Sequence, residues 1–514
     1  VTTYSCVVNL GLKSMRAAVF DDTGQRHAIA YRPIESRMGE GRVEQDPEDW
    51  WCAALETLDD VLADRSLAAG VRRITATASA GCLVAMDEAG AVLRPGIMIS
   101  DVRAREQAAR IQADAAFVAL GLPGGRVTPD LMLPKIVWLR EHEPDAYERA
   151  RWFAAPNDFL IHRLTGEMVT DPPDATKYLF DAERGGYPTG LLDALGIDPA
   201  TLPPVAIGGD AVLPLRSELR ERYGLPSDAR VVLSTYDAIC AVYGSGVAAV
   251  GEACDVSGTV TSFRAVTDRA DRDPSGRLFT IPHVGSGRYL AGGSNNLGGG
   301  VIEWAKQVLY PDDPAPYDTM VAEAEDAPPG AAGLTFLPYL LGERAPVWDS
   351  TARAVFFGLG RNHTRADMIR AIFEGVGYSV LDIVDRLGEM GVTVRRVSAS
   401  GGLARLDPVN QIKSDMLGVP VVLTDELETS ALGASLVSGV NVGHWSSIEE
   451  ATAACVRSSR VFEPVEARTR MYRDFFALYR GLYANLRDLF ATREALIAQH
   501  GEVLRTVLAR SENL

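Results

Sequence analysis

The 514-residue chain has no run of about 18 apolar residues, so no membrane-spanning helix is expected. Its opening VTTYSCVVNLG carries no basic n-region or cleavage pattern, and no signal peptide is expected. Cysteine is sparse and scattered. Cys6, Cys52, Cys82, Cys240, Cys254 and Cys455 form no CxxC pair, which fits a reducing cytoplasm and argues against a structural zinc site. Positive charge is also short: 51 Lys and Arg against 68 Asp and Glu give a net charge of −17. That balance disfavours nucleic acid and anionic membrane as partners. It leaves phosphate ligands open, because local N–H groups and magnesium can outweigh the global field. No GxxxxGK[ST] loop is present, which disfavours a P-loop nucleotidase. HExxH, GxSxG and DFG constellations are missing too.

What is present reads as a folded enzyme. Apolar residues make up 47% and charged residues 23%, and a chain of this length needs two or more cores. Tyr4–Asn9 and Arg16–Phe20 predict a β-hairpin with Gly11 at its turn, reversed again at Asp21-Asp22-Thr23-Gly24. Further strands are expected at Arg73–Ala78 and Val231–Thr235, the latter followed by a helix from Ala238. This alternation implies α/β layering around largely buried sheets. ACDVSGTVTSF, from Ala253, repeats the strand–glycine turn–strand pattern at Gly258. The two hairpins are either unrelated or the openings of two related domains, the second starting near residue 247. In the latter case a ligand cleft between domains is natural. Met471, Phe475, Leu478, Leu482, Leu486 and Leu489 recur at helical spacing and predict a packing helix without chemistry. The tail from Gly501 to Leu514 is expected to fray.

Residues 398–421 read SASGGLARLDPVNQIKSDMLGVPV. A strand at Arg396–Ala399 ends in Gly401-Gly402, a helical segment follows, and Gly418 leads to a β-rich run at Val419–Leu423. Glycines at a strand end let backbone pass close to a flat or phosphorylated ligand, and the next helix offers free N–H groups. The alternative is a simple turn. Asp237 follows an apolar strand and precedes a run of small residues, where it either accepts a proton from a substrate hydroxyl or caps the helix. Asp101 and Arg103 are either a sugar-binding pair or a surface ion pair. Lys135, in LPKIVWL, sits on an amphipathic helix in a structural role. Gly258-Thr259 offers N–H groups and a hydroxyl to a phosphate, or is only a turn.

Taken in order, these segments resemble the FGGY family of carbohydrate kinases, including xylulokinase-like and glycerol kinase-like enzymes. The likeness covers about residues 4–485. It runs through NLGLKSMRAAVFDDTG, VEQDPEDWW, SDVRA, PKIVWL, NDFLIHRLTGE and Asp237 before GSGVA. It continues through SGT, LPYLLGERAPVWD, RAIFEGVGY and GGLARLDPVNQIKSDMLGVPV. The resemblance implies two actin/ribonuclease H-like α/β domains flanking a central cleft. Their expected extents are 1–246 (sugar side, first phosphate hairpin, catalytic Asp) and 247–445 (ATP side). A helical segment over 446–514 is expected to pack on both. It implies transfer of the ATP γ-phosphoryl group, with Mg2+, to a sugar or polyol hydroxyl in the cytoplasm. The assembly is left open, with a homodimer as one expectation.

By position, Asp237 resembles the catalytic base and touches both substrate and metal. Ala80, Gly81, Asp101 and Arg103 fall on the substrate side, although Ile99 and Ser100 replace the Trp and Asn of the family's W-N-D-x-R pattern. Gly11, Lys13, Ser14 and Arg16 match the first phosphate hairpin and Gly258 and Thr259 the second. Gly299, Gly300, Gly401, Gly402 and Asn410 fall where ATP is approached, with Gln411 in the same motif. The first hairpin departs from the family's D-x-G-T-T/S-S-x-K/R: it reads Asn9-Leu10-Gly11-Leu12-Lys13-Ser14-Met15-Arg16. Asn9 can order a metal-bound water but brings no charge, so Mg2+ affinity is expected to fall. Lys13 either compensates at the phosphates or points to solvent. Where xylulokinases carry S-G-Q-M-H-G, the chain has Thr77-Ala78-Ser79-Ala80-Gly81-Cys82, which enlarges the sugar pocket and puts xylulose in doubt. Tyr236, just before Asp237, either stacks on substrate or packs in the core. The other readings are a sugar- or nucleotide-binding sensor with weakened transfer, and an actin-like or chaperone-like ATPase.

Overall fold

The structure is a computed structural model that describes residues 3–508 apart from 40, 123, 124, 183, 207, 271, 272 and 286. Two mixed sheets organise it. The first has six strands in the order Val212–Pro214, Arg230–Val232, Val71–Ala78, Tyr4–Leu10, Ser14–Asp21, Arg26–Pro33. The second has seven, in the order Phe279–Pro282, Tyr289–Ser294, Thr261–Thr267, Glu252–Ser257, Arg396–Ser400, Val421–Thr424, Ser458–Phe462. In each, a strand pairs antiparallel with the next strand in sequence and parallel with a strand far along the chain: Tyr4–Leu10 with Val71–Ala78, and Glu252–Ser257 with Arg396–Ser400. The two hairpins are therefore related openings of two sheets that share one strand order, the second extended at its edge by Phe279–Pro282.

Sequence explains which strands lie inside. Tyr4–Leu10 is buried along six of its seven residues, as a central strand covered on both faces must be. Arg26–Pro33 instead alternates half-buried and exposed positions, the pattern of an edge strand with one wet face. Three expectations need correction. The helix Met132–His142, expected to be amphipathic, is buried at every residue from Met132 to Leu139, so Lys135 lies in the interior. The C-terminal helix, Glu466–Leu508, packs through Tyr472, Phe476, Tyr479, Leu482 and Phe490, while Leu478 and Leu489 are exposed. The aromatic residues beside the leucine stripe supply the larger apolar area, and they set which face turns inward. The 446–514 segment is also more than helical, because Ser458–Phe462 completes the second sheet. The helix continues past a break at His500, and residues 509–514 of the tail lie outside those described. Among the described residues no helix is long and apolar enough to cross a membrane.

The two halves meet where the helix Asp237–Gly244 crosses the helix Thr429–Asn441. The crossing is backbone on backbone. A Cβ at Gly433 would overlap the Cys240 carbonyl, and one at Gly244 would overlap the Thr429 carbonyl. Around it, one apolar cluster runs from Val7, Ala18 and Phe20 through Ile239, Tyr243 and Leu432 to Cys254, Val266 and Leu290. Gly433→Ala is expected to cost about 3 kcal/mol, because carbonyl oxygens rather than flexible side chains block the methyl. Gly388→Ala, in the helix Arg365–Glu389 with open space at its Cβ, is expected to be neutral or stabilising. Urea denaturation midpoints compare the two, and equal shifts would contradict a tight crossing.

Candidate active site

Asp237 is the first residue of its helix, and Tyr236 before it has the extended backbone of a cap. The purely architectural N-cap role therefore falls to Tyr236. The segment leading into Asp237 is fastened to the neighbouring strand by two bonds: Ser234 Oγ donates to the Ala76 carbonyl at 2.6 Å, and Thr77 Oγ1 to the Thr235 carbonyl at 2.7 Å. Ser79 Oγ donates to Asp237 Oδ2 at 3.0 Å. Burial pushes the Asp237 carboxyl up, against the Ser79 and Ala238 hydrogen bonds and the charges of Arg16 and Lys177. A raised carboxyl is a stronger base, as proton abstraction from a hydroxyl requires. Tyr236 is buried within the apolar cluster between the halves, which is the core-packing outcome.

The first hairpin presents its turn beside this carboxylate. The Gly11 N–H donates to the Ser14 carbonyl at 2.9 Å. The turn is braced from below: the Leu12 carbonyl accepts from Gln45 Nε2 at 2.7 Å and the Lys13 carbonyl from the Ile34 N–H at 2.9 Å. Leu12 and Lys13 are exposed, and Ser14 is buried. Asn9 is buried opposite Arg16, and its Oδ1 has no hydrogen-bond partner. A buried amide oxygen without a donor is costly unless a ligand or water supplies one, which suits an atom that orders hydrated metal. Arg16 reaches Glu428 at 3.5 Å, at the start of the crossing helix.

On the other half the glycines converge. The Gly299 N–H donates to the Gly258 carbonyl at 2.8 Å, and the Gly298 and Gly300 N–H groups reach the Thr259 carbonyl at 2.9 and 3.1 Å. A Cβ at Gly299 would stand 2.6 Å from the Gly258 oxygen. Gly401 has φ +85°, and a Cβ there would lie 2.6 Å from the Ser257 carbonyl. Only glycine satisfies both the dihedral and the contact. Gly402, by contrast, faces open space. Asn410 is buried and donates from Nδ2 to the Ala404 carbonyl at 2.8 Å, so it shapes the loop after Gly402. Gln411 bonds Asp415 and the Glu463 carbonyl at 3.0 and 2.9 Å. Beneath the Gly258 turn, Lys413 pairs with Asp255 and donates to Ser257 Oγ at 3.0 Å. That ion pair joins the second hairpin to the helix behind Gly401-Gly402, and no motif in the sequence signals it.

On the remaining side, Ala80 and Gly81 follow Ser79 in the same loop, and Lys135 Nζ donates to the Gly81 carbonyl. Asp101 and Arg103 are buried, which removes the surface ion pair. Asp101 accepts from the Val43 N–H at 2.7 Å and from Arg103 Nη2 at 2.6 Å. Burial opposes ionisation of Asp101, but the Arg103 and backbone hydrogen bonds outweigh it and hold the carboxyl below its usual range. Arg103 also meets Glu44 at 2.7 Å and covers the Trp138 ring. The pair thus braces the strand Arg42–Gln45. Ser79 and Lys177 were not among the expected site residues. Ser79 was legible as a substitution in a family segment, whereas Lys177 lies in VTDPPDATKYLFD, outside every motif. Among the described residues no cluster of three or more His, Cys, Asp or Glu could hold a metal ion.

The chain matches the FGGY family of carbohydrate kinases, N-terminal domain, over residues 4–244 and the C-terminal domain of the same family over residues 255–442. It is 26% identical over 486 residues to the xylulose kinase of Staphylococcus xylosus, covering 93% of this chain and 99% of the relative. It is 26% identical over 523 residues to the gluconokinase of Bacillus subtilis, covering 98% of this chain and 100% of the relative. The crystal structure of gluconate kinase from Lactobacillus acidophilus superposes with a TM-score of 0.88 at 26% identity, over 96% of this chain and 100% of that one.

Behind the loop that carries Asp237 lie three buried carboxyls, Asp158, Asp171 and Asp174. Asp158 accepts from the Ala155 N–H at 2.8 Å, and Asp171 from the Asp174 N–H at 3.2 Å. Burial pushes all three up, and repulsion from neighbouring carboxyls adds to it at Asp158 and Asp174, with Asp158 pushed up to about 8. The folded chain therefore keeps a proton that the unfolded chain releases near pH ~4. The sign follows: this stability is fully present below that value and is lost as the pH rises toward about 8. Asp158→Asn keeps an acceptor for Ala155 and removes the titration. Its thermal midpoint should fall less than the wild type's between about pH 5 and pH 8, and an unchanged slope would count against the buried acid.

Proposed function

The chain belongs to the FGGY family of carbohydrate kinases, and on that premise we propose that it transfers the γ-phosphoryl group of ATP to a hydroxyl of a sugar or polyol, with Asp237 as the general base. The xylulose kinase and gluconokinase relatives support an open-chain acceptor such as a pentulose or a related sugar derivative. We also propose domain limits at 246/247 and 445/446.

The observation that carries the reading is the placement of Asp237. It opens a helix locked against the second half, its carboxylate is held by Ser79, and burial raises its basicity. Asp237 takes the proton of the acceptor hydroxyl as the oxygen attacks. Gly258, Thr259, Gly299, Gly300, Gly401 and Gly402 line the nucleotide side, where bare backbone permits close approach. Lys13 and the Gly11–Ser14 turn face the transferring phosphates. Phosphoryl transfer passes through a loose, charge-rich transition state, so catalysis rests on positioning and on charge stabilisation. Mg2+, when bound, neutralises phosphate charge. Asn9 Oδ1, buried without a partner, would hold it through water, and Asp237 would complete its protein contacts. The intact base and its brace weigh against a chain that only binds its ligands.

Coupled ADP release across ketoses, aldoses, aldonates and alditols tests the proposal. Turnover on one class is expected, and Asp237→Ala should lower kcat by about 10²–10⁴-fold with ATP affinity kept. ATP binding without turnover on any acceptor would overturn it. Asn9→Asp should lower the Mg2+ concentration needed for half-maximal rate by about tenfold, since a carboxylate replaces a neutral oxygen. An unchanged requirement would place the metal away from Asn9.

A further inference from the structure

Lys177, in the short 3₁₀ turn Thr176–Tyr178, is a cation without a counter-ion. Its ammonium stands 5.3 Å from the centroid of the Tyr236 ring, next to Asp237. Burial pulls its pKa down. Asp130, Asp174 and Asp237 attract it, and Arg264 repels it. Among the described residues it makes no hydrogen bond and no ion pair, and Asp130 does not come within ion-pair distance. Asp174 is held toward its neutral form by burial, so it neutralises little of this charge.

Arg264, on the facing strand Thr261–Thr267 of the other half, repeats the situation. It is 8% exposed. Its Nη1 donates to the carbonyls of Phe263 and Gly293, each at 2.7 Å, and its Nη2 to Ser294 Oγ at 3.3 Å. The guanidinium lies over the Phe279 ring at 4.0 Å, and Nε is buried with no partner. Arg344 repels it in turn, and that residue also has a buried, unpartnered Nε. Neither arginine has a carboxylate at ion-pair distance among the described residues. Buried like charges facing each other across a cleft are unfavourable unless an anion enters between them.

Two anions could fill that role: the γ-phosphoryl group of ATP, or an acidic group on the acceptor. Position separates them. Asp237 feels Arg16, from the phosphate hairpin, and Lys177, from the loops opposite. The turn that carries Lys177 packs against the helix Met132–His142, whose Lys135 holds the Gly81 carbonyl in the loop assigned to the acceptor. Lys177 therefore lies on the acceptor side of the base. We propose that the acceptor is a sugar acid, whose carboxylate binds between Lys177 and Arg264 while Asp237 addresses a hydroxyl further along the chain. The inference rests on the kinase reading above and narrows it to aldonate-type substrates. Met or another neutral side chain at position 177 would leave a pocket suited to neutral acceptors.

Binding rather than turnover tests this, so its failure is separate from failure of the kinase reading. Isothermal titration of the full chain with matched pairs, D-gluconate against D-glucitol and D-xylonate against xylitol, isolates the carboxylate. At least one acid should bind about tenfold or more tightly than its alditol, the scale of a charge-assisted contact. Lys177→Met should abolish that preference, and Lys177→Arg should keep it. In parallel, Lys177→Met should leave the ATP-to-ADP affinity ratio unchanged. Alditols binding as tightly as the acids, binding of no acid, or a preference that survives Lys177→Met overturns the proposal. A selective loss of ATP over ADP affinity in Lys177→Met would assign the cation to the γ-phosphoryl group and overturn it as well.

Discussion

Everything in the cleft is referred to one contact, the backbone crossing of Asp237–Gly244 with Thr429–Asn441 at Gly244 and Gly433. Helices that touch through carbonyls cannot slide as side-chain interfaces do, because no rotamer can absorb the motion. One helix begins with the proposed base. The other is preceded by Glu428, which holds Arg16 of the first hairpin. The base, the hairpin turn and the second half of the chain thus share a single pivot.

The two walls solve the problem of handling anions differently. The second-half wall around residues 258, 299 and 401 uses backbone: mutually bonded turns, and glycines at 299 and 401 where a Cβ would collide. Its charges are buried behind the surface, in the Lys413–Asp255 pair, where they lock loop to helix rather than meet a ligand. Around Asp237 the arrangement is reversed. Lys13 is exposed, Arg16 is held by Glu428 at 3.5 Å, and Lys177, Arg264 and Arg344 have no carboxylate at ion-pair distance among the described residues. A backbone wall reads shape and tolerates a mobile polyphosphate, whereas unpaired cations demand a particular anion.

Much of this was legible in the sequence, for physical reasons. Both hairpins could be read because central strands need continuous β-prone apolar runs, and a glycine marks each turn although a Cβ would fit at both Gly11 and Gly258. Asp237 stood out because a charged residue at the end of a buried strand is unusual. Burial partners were harder to read. Asp101 and Arg103 suggested a ligand site, and the sequence did not show that they also bond each other, Val43 and Glu44, contacts that depend on a strand some 58 residues earlier. The C-terminal helix was read in part: Met471, Phe475, Leu482 and Leu486 pack on the core as expected, but Tyr472, Phe476 and Tyr479, one step along from the stripe, widen the buried face, and Leu478 and Leu489 are exposed. Lys177 could not be read at all. Its meaning comes from Arg264 and Tyr236, which only the closed fold brings near it.

The same cations resolve an apparent conflict between the chain's charge and its chemistry. A protein with a net charge of −17 repels ATP and acidic acceptors at long range. Screening confines that repulsion to about 8–10 Å in ordinary salt, and inside a cleft the local charges dominate because low-dielectric walls focus the field. The loss of a carboxylate at Asn9 moves the phosphate hairpin in the same direction, toward positive potential. The expected cost is a weaker grip on magnesium. With the sugar-acid acceptor proposed above, the gain is a site where two anionic substrates can lie close together. On this view the rewritten hairpin and the unpaired Lys177 are one adaptation, made on opposite sides of Asp237.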